Sequence, residues 1–205
     1  MGTGKISNSE LEPGGRRVGL LGGSFNPAHA GHLHVSRQAM KLLGLDEVWW
    51  LVSPQNPLKP EAGMTALQDR LDEARRVAQD QPAILVTAIE AELGTRYTVD
   101  TLDALRQRYP DIDFVLLAGA DILEELPRWR DWERIIQTVP IAVFARKPYT
   151  LQALSGLAAR RFAQFRIPEE EASTLAGRTP PAWVFLHIKE HPASATAIRA
   201  ARRTG

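Results

Sequence analysis

The chain has 205 residues, of which 44% are hydrophobic and 24% charged, a composition typical of one globular domain. Its 25 basic and 24 acidic residues give a net charge of +1, so no global positive field favours a nucleic acid as partner. The absence of cysteine excludes disulfides and thiolate metal sites, and no apolar run approaches the roughly 20 residues that span a bilayer.

The N-terminal segment differs in composition from the rest of the chain. Residues 1–16 are polar and rich in glycine, which predicts a flexible tail ahead of one domain at 17–205. The segment lacks the apolar stretch of a signal peptide, so we expect a cytoplasmic protein with no membrane partner. Its GTGK sequence is not a P-loop, because Ile6 stands where Ser or Thr should follow the lysine.

Short apolar runs alternate with longer amphipathic stretches in chain order. They predict strands at residues 18–22, 48–53, 84–88, 114–118, 141–145 and 183–188, and helices at 31–43, 65–79, 98–109, 129–137, 151–162 and 195–203. Residues 160–181 are predicted to form a surface excursion. Continuous apolar runs suit parallel strands covered on both faces, so we expect a single α/β domain with a Rossmann-like, doubly wound parallel sheet. Ligands bind such sheets at the carboxyl ends of the strands.

The first predicted strand leads into the sequence GGSFNPAHAGH at residues 22–32. Gly22 and Gly23 would let a ligand approach the backbone closely, and the start of the following helix favours phosphate. His29 and His32 could donate hydrogen bonds to phosphate oxygens there. A glycine-rich turn with surface histidines is the plainer interpretation. A zinc site is disfavoured because the two histidines are three residues apart and lack an evident carboxylate partner, and the G-x-G-x-x-G pattern of a dehydrogenase is missing.

This sequence resembles the signature of the nucleotidyltransferase superfamily, an H-x-G-H box after the first strand. Its longer form is similar to the nicotinate- and nicotinamide-nucleotide adenylyltransferases, although Asn26 stands where that family often has Asp. The resemblance implies transfer of the adenylyl group of ATP to nicotinate mononucleotide in NAD biosynthesis, with nicotinate adenine dinucleotide and pyrophosphate as products. It also implies Mg²⁺ bound with ATP rather than in a dedicated protein cage.

The resemblance extends to an ATP site and to catalytic groups. His29, His32 and Arg199 are the expected catalytic residues. Ser194 and Asp121 could instead act only as helix N-caps, and Arg146 could simply be solvated after its strand. The implied ATP-binding residues are Gly22, Gly23, Ser24, Phe25, His32, Asp121, Arg146, Ser194, Thr196 and Arg199.

Further segments resemble the acceptor side of the family, and imply that Asn26, Lys59, Tyr97, Thr98 and Trp129 bind the mononucleotide. Thr98 is also predicted to cap a helix. Trp129 would stack on the pyridine ring, and a position in the core is its alternative. A pocket of backbone N–H groups near Thr98 would favour the carboxylate of nicotinate over the amide.

The implied nucleophile, the 5′-phosphate of the acceptor, is already anionic and needs no general base. Positioning and charge neutralisation would therefore carry the reaction. The alternatives are another small adenylyltransferase, with nicotinamide mononucleotide or pantetheine phosphate as acceptor, and a non-catalytic nucleotide sensor on the same fold. An aminoacyl-tRNA synthetase is disfavoured because 205 residues leave no room for its additional domains.

Overall fold

The computed structural model describes residues 15–54, 64–145 and 153–204. All strand pairs are parallel, and the order across the sheet is β3-β2-β1-β4-β5-β7-β6. This arrangement confirms the predicted doubly wound parallel sheet. The strands are β1 (Arg16–Gly23), β2 (Glu47–Val52), β3 (Ile84–Thr87), β4 (Ile112–Gly119), β5 (Ile141–Phe144), β6 (Arg166–Ile167) and β7 (Trp183–Leu186).

Helices follow most of the strands and cover both faces of the sheet. None of those described is both long enough and apolar enough to cross a membrane. Short 3₁₀ turns lie at Leu126–Arg128, Ala163–Phe165 and Glu169–Thr174. The α-helices of the described ranges are α1 (Ala30–Leu43), α2 (Leu67–Ala78), α3 (Ile89–Leu93), α4 (Thr98–Arg108), α5 (Ile122–Glu125), α6 (Trp132–Thr138), α7 (Leu157–Arg161) and α8 (Ala195–Thr204).

The core consists of two apolar layers, one on each face of the sheet. The neighbouring residues Trp49 and Trp50 of β2 illustrate the division, because successive side chains of a strand point to opposite faces. Trp49 packs in the layer that contains Leu102 of α4, and Trp50 packs in the layer that contains Ala39 of α1. Strands buried on both faces explain the continuous apolar runs of the sequence.

The segment at 160–181 corrects the prediction of a surface excursion. Its strand β6 pairs with β7 at the edge of the sheet, and Leu175 is fully buried. Small apolar residues between polar ones pack against the sheet layer, which the overall polarity of the segment conceals. The predicted helix at 129–137 begins only at Trp132, and α7 is shorter than the predicted helix at 151–162, of which residues 151 and 152 lie outside the described range.

The N-terminal boundary also differs from the prediction. Residues 1–14 lie outside the described range, and the predicted tail at 1–16 overlaps the first strand. Arg16 opens β1, where it is in register with Ile112 of β4 and forms an ion pair with Glu47 of β2.

The topology fixes where a ligand would bind. From β1 the chain runs outward through β2 to β3, and then returns to form β4 on the other side of β1. The carboxyl ends of β1 and β4, at Gly23 and Gly119, therefore flank the switch point, where doubly wound sheets bind their ligands.

Candidate active site

The loop after β1 is built around a buried aromatic residue. Phe25 has a φ of +46°, an unusual conformation for a non-glycine residue that costs about 1–3 kcal/mol. Its side chain is only 2% exposed, and its ring stacks on that of Trp50 with 5.1 Å between centroids. Burial of the ring, worth about 1.5–3 kcal/mol, offsets the strain. The Phe25 ring also lies 4.6 Å from that of His32, so the loop conformation and the histidine position depend on each other.

The two histidines of the H-x-G-H box form a reciprocal cap at the start of α1. His29 Nδ1 accepts a hydrogen bond from the Gly31 N–H, and His32 Nδ1 accepts one from the His29 N–H, both at 3.1 Å. A ring nitrogen that accepts a hydrogen bond carries no proton, so Nε2 is the protonated nitrogen of each neutral imidazole. The ring centroids are 3.9 Å apart. Two N–H donors are thus paired at a helix N-terminus, where anions are favoured.

A buried chain of hydrogen bonds joins the backbone of His32 to β2. Trp50 Nε1 donates to Ser36 Oγ at 2.8 Å, and Ser36 Oγ donates to the backbone oxygen of His32 at 2.9 Å. Ser36 and Trp50 are both fully buried. The first turn of α1 is therefore fastened to β2, which limits how far the His32 ring can move.

The start of α8, the last helix in the sequence, contacts the loop after β1. Arg199 Nη1 donates to the backbone oxygen of Asn26 at 2.6 Å, and Nη2 donates to Thr196 Oγ1 at 3.2 Å. Ser194 Oγ accepts a hydrogen bond from the Ala197 N–H at 3.2 Å, so the prediction that Ser194 caps this helix is confirmed. The loop after β1 and the start of α8, about 170 residues apart in sequence, are thus in direct contact.

Asn26 lies in the loop after β1, but the predicted acceptor residues Tyr97, Thr98 and Trp129 lie on a separate group of elements. Tyr97 is the N-cap residue of α4 and Thr98 its first residue, so the prediction that Thr98 caps the helix is wrong. The guanidinium of Arg130 lies 4.8 Å from the centre of the Tyr97 ring. Trp129 follows the 3₁₀ turn at Leu126–Arg128, packs partly buried against the core, and has a buried indole nitrogen without a hydrogen-bond partner among the described residues. Trp129 can therefore pack partly against the core and still present part of its side chain to a pyridine ring.

The remaining predicted residues divide between described and undescribed parts of the chain. Asp121 follows β4 at the switch point, and its side chain makes no capping hydrogen bond, so a capping role does not explain it. Lys59 and Arg146 lie outside the described residues. Within the described ranges, no group of three or more histidine, aspartate or glutamate side chains could hold a metal ion.

Residues that the sequence did not single out also support the site. Arg70 of α2 is buried, and donates hydrogen bonds to backbone oxygens that include that of Ser24. Its signal was its position among Leu71 and Ala74 on the apolar face of α2, where a charged residue is unexpected. Glu90 of α3 was also missed. Burial raises the pKa of its carboxyl, and a hydrogen bond with the Ser53 side chain opposes that rise.

A donor pair at a helix start beside the switch point of a parallel sheet suits an enzyme that handles nucleotide phosphates. The model of the cytidylyltransferase-like family matches residues 20–201. The chain belongs to this family. Relatives that share about half of their residues with it place it among the nicotinate-nucleotide adenylyltransferases.

Relatives with the name "Probable nicotinate-nucleotide adenylyltransferase" align with most of this chain, and two of them serve as examples. The protein of Parvibaculum lavamentivorans is 54% identical over 194 residues, which are 95% of this chain and 96% of the relative. That of Methylorubrum extorquens is 52% identical over 183 residues, which are 89% of this chain and 98% of the relative.

A solved structure shares the fold at much lower identity. The nicotinic acid mononucleotide adenylyltransferase of Plasmodium falciparum, complexed with NaAD, superposes with a TM-score of 0.67 at 16% identity, over 90% of this chain and 83% of that one. At this identity the likeness supports the Rossmann-like fold alone.

Proposed function

We propose that this protein transfers the adenylyl group of ATP to nicotinate mononucleotide, giving nicotinate adenine dinucleotide and pyrophosphate in NAD biosynthesis. The observation that carries the proposal is the contact between two segments that we infer bind phosphate. Arg199 of α8 donates to the backbone oxygen of Asn26, in the same loop that leads into the His29–His32 cap of α1. Relatives that share half of their residues with this chain carry the same activity in their names.

The arrangement suits an in-line transfer between two anions. The 5′-phosphate oxygen of the mononucleotide attacks the α-phosphorus of ATP, the bond from that phosphorus to the bridging oxygen breaks, and pyrophosphate leaves with the electron pair. The His29 and His32 Nε2–H groups would donate to phosphate oxygens, with His32 acting on charge that develops in the transition state. Arg199 and the start of α8, with Ser194 and Thr196, would hold the pyrophosphate. No proton needs to be removed from the nucleophile.

Mg²⁺ would enter with ATP. Since the described residues provide no cluster of three ligating side chains, the ligands of the ion would be phosphate oxygens and water. The ion would supply neutralisation of phosphate charge. Asp121, at the switch point after β4, is the described carboxylate whose position best fits a contact with the nucleotide.

The start of α4 supports a preference for the acid over the amide. The N-cap residue Tyr97 makes no side-chain cap hydrogen bond, so its side chain does not compete with an external acceptor for the first backbone N–H groups. A carboxylate satisfies such donors, whereas the NH₂ of a carboxamide would face them without an acceptor. A mismatch of this kind costs about 1–3 kcal/mol, or about 5- to 150-fold in kcat/KM.

Pyrophosphate release from MgATP, measured with and without nicotinate mononucleotide, tests the proposal. We expect release only when the acceptor is present. His32→Ala should lower kcat by about 10²-fold or more while ATP binding weakens less. His34→Ala is the matched control, because the His34 ring lies on the same helix but bonds to the Lys189 oxygen instead. Release that does not depend on a pyridine mononucleotide would contradict the proposal.

A further inference from the structure

Arg70 is a buried cation whose position the reaction itself does not explain. Its side chain is 2% exposed within the apolar face of α2. In the described part of the chain no carboxylate forms an ion pair with it. Burial lowers the pKa of the guanidinium from its ordinary range, because desolvation disfavours the charged form. A charge placed in this environment must be compensated by hydrogen bonds.

Among the described residues, the compensation comes from backbone oxygens of three chain segments. Nη1 donates to Ser24 at 2.6 Å and to Ser53 at 2.8 Å, Nη2 donates to Pro54 at 2.9 Å, and Nε donates to Thr65 at 2.9 Å. Ser24 belongs to the loop after β1, Ser53 and Pro54 follow β2, and Thr65 precedes α2. The guanidinium is planar with donors in a fixed fork, so the four oxygens are held in one geometry.

These segments carry the two sides of the active site. Thr65 Oγ1 donates to Asn26 Oδ1 at 2.8 Å, and the Asn26 backbone accepts from Arg199 at 2.6 Å. The Ser53 N–H donates to the Gly23 oxygen at 3.0 Å. The loop that bears the histidine pair and the chain that follows β2 are therefore joined through Arg70 and through direct bonds beside it.

We propose that Arg70 is a positioning residue, which sets the separation of the loop after β1 and the segment after β2 so that the ATP phosphates and the acceptor phosphate meet in line. The inference rests on the proposed function. Arg70 touches neither substrate in this account, because its side-chain hydrogen bonds within the described part of the chain are made to backbone oxygens. A lysine at this position would retain the charge, but its single ammonium could not reach all four oxygens in the same geometry.

The alternative is that Arg70 only stabilises the fold. Matched variants distinguish this role from the positioning role. Arg70→Lys tests the geometry with the charge retained, and Arg70→Gln, which removes the buried charge, replaces it if the lysine variant does not fold. Arg106→Lys controls for the exchange itself, because Arg106 also donates to a backbone oxygen, that of Thr138, at the opposite edge of the sheet. Leu105→Ala in the α4 core provides a destabilised protein with an unaltered site.

The experiment measures kcat, both KM values and the Tm of each variant, with kcat expressed per folded enzyme. We expect kcat to fall by about 10²-fold in Arg70→Lys, because a displacement of about 1 Å is enough for such a loss, with smaller changes in either KM. Leu105→Ala should lose Tm but retain kcat, and Arg106→Lys should retain both. If the wild type is active and the Arg70 variants have the same kcat as the controls, the positioning role is overturned.

Hydrogen exchange gives a readout that does not depend on turnover. Peptides covering residues 20–29 and 49–54 should exchange faster in Arg70→Lys, because the bond between Ser53 and Gly23 loses its support. Arg106→Lys should leave these peptides protected, and Leu105→Ala should raise exchange throughout the core strands rather than selectively in these two peptides. Unchanged protection in the Arg70 variants would overturn the inference. An inactive wild type would instead contradict the proposed function, and the exchange data would still decide whether Arg70 fixes the two segments.

Discussion

Two glycines that flank the first loop, Gly22 in β1 and Gly31 in α1, have opposite surroundings. A Cβ at Gly31 would lie 2.8 Å from His29 Nδ1 and 3.0 Å from the Ala193 oxygen, distances too short for a side chain. A Cβ at Gly22 would meet nothing within 4 Å. Close packing against the histidine and the start of α8 therefore explains Gly31, whereas Gly22 borders open space that a ligand could enter.

Alanine at each position distinguishes these two reasons. Gly31→Ala should displace the His29 ring, break its bond to the Gly31 N–H and lower kcat, because the donor pair loses its geometry. Gly22→Ala should leave the Tm unchanged and raise the KM for ATP. Thermal melting and steady-state kinetics of both variants check this. A Gly22→Ala enzyme with an unchanged KM would show that ATP does not approach the backbone there.

The sequence predicted the histidine pair, because residue types at a strand–helix turn determine local chemistry. It did not predict how the histidines are held. The caps of His29 and His32 use ring nitrogens rather than the Ser or Asn side chains that usually begin helices. The buried bonds from Trp50 through Ser36 to His32 depend on contacts between distant elements. Such contacts leave no local signal in the sequence.

Among the elements, the short helix α3 carries a partly buried acid, Glu90. Glu90 lies in its first turn, and burial raises the pKa of the carboxyl above its ordinary value. The folded protein therefore binds this proton more tightly than the unfolded chain does. The resulting contribution to stability is present below the ordinary pKa of about 4.3 and is lost as the pH rises through the folded pKa.

Glu90→Gln should consequently gain Tm relative to the wild type as the pH rises from about 4 towards neutrality, because glutamine keeps the shape without the buried charge. Glu92→Gln is the matched control, since Glu92 is exposed on the same helix. Melting curves across this pH range provide the measurement. A Tm difference between Glu90→Gln and the wild type that stays constant with pH would show that the buried charge has no cost.

The strands of four residues or more were predicted, whereas the short elements β6, α3 and α5 were missed. β1, β2 and β4 are continuous apolar runs buried on both faces, a pattern that the sequence displays directly. β6 has two residues, and α3 and α5 have five and four. Elements of this length contain too few turns or alternations for a periodic pattern, and their existence depends on the surfaces against which they pack.

At the scale of the whole molecule, the carboxyl ends and the amino ends of the parallel strands have different surroundings. The switch point gathers the loop after β1, the segment after β2 and Asp121 at the carboxyl edge. The amino edge has an open groove of about 470 Å³, lined by residues that include Arg106, Pro140 and Arg178. None of the predicted site residues lines that groove, so its size does not make it the active site. Strand direction locates the chemistry better than cavity volume does.

The most direct test of the account is the identity of the product when both mononucleotides compete. Purified protein would be given MgATP with equal concentrations of nicotinate mononucleotide and nicotinamide mononucleotide, and the dinucleotides would be separated and quantified by mass at early times. The account predicts that nicotinate adenine dinucleotide forms in excess, by about 5- to 150-fold for one unsatisfied contact. Formation of the amide dinucleotide in equal or greater amount, or of no dinucleotide at all, would contradict it.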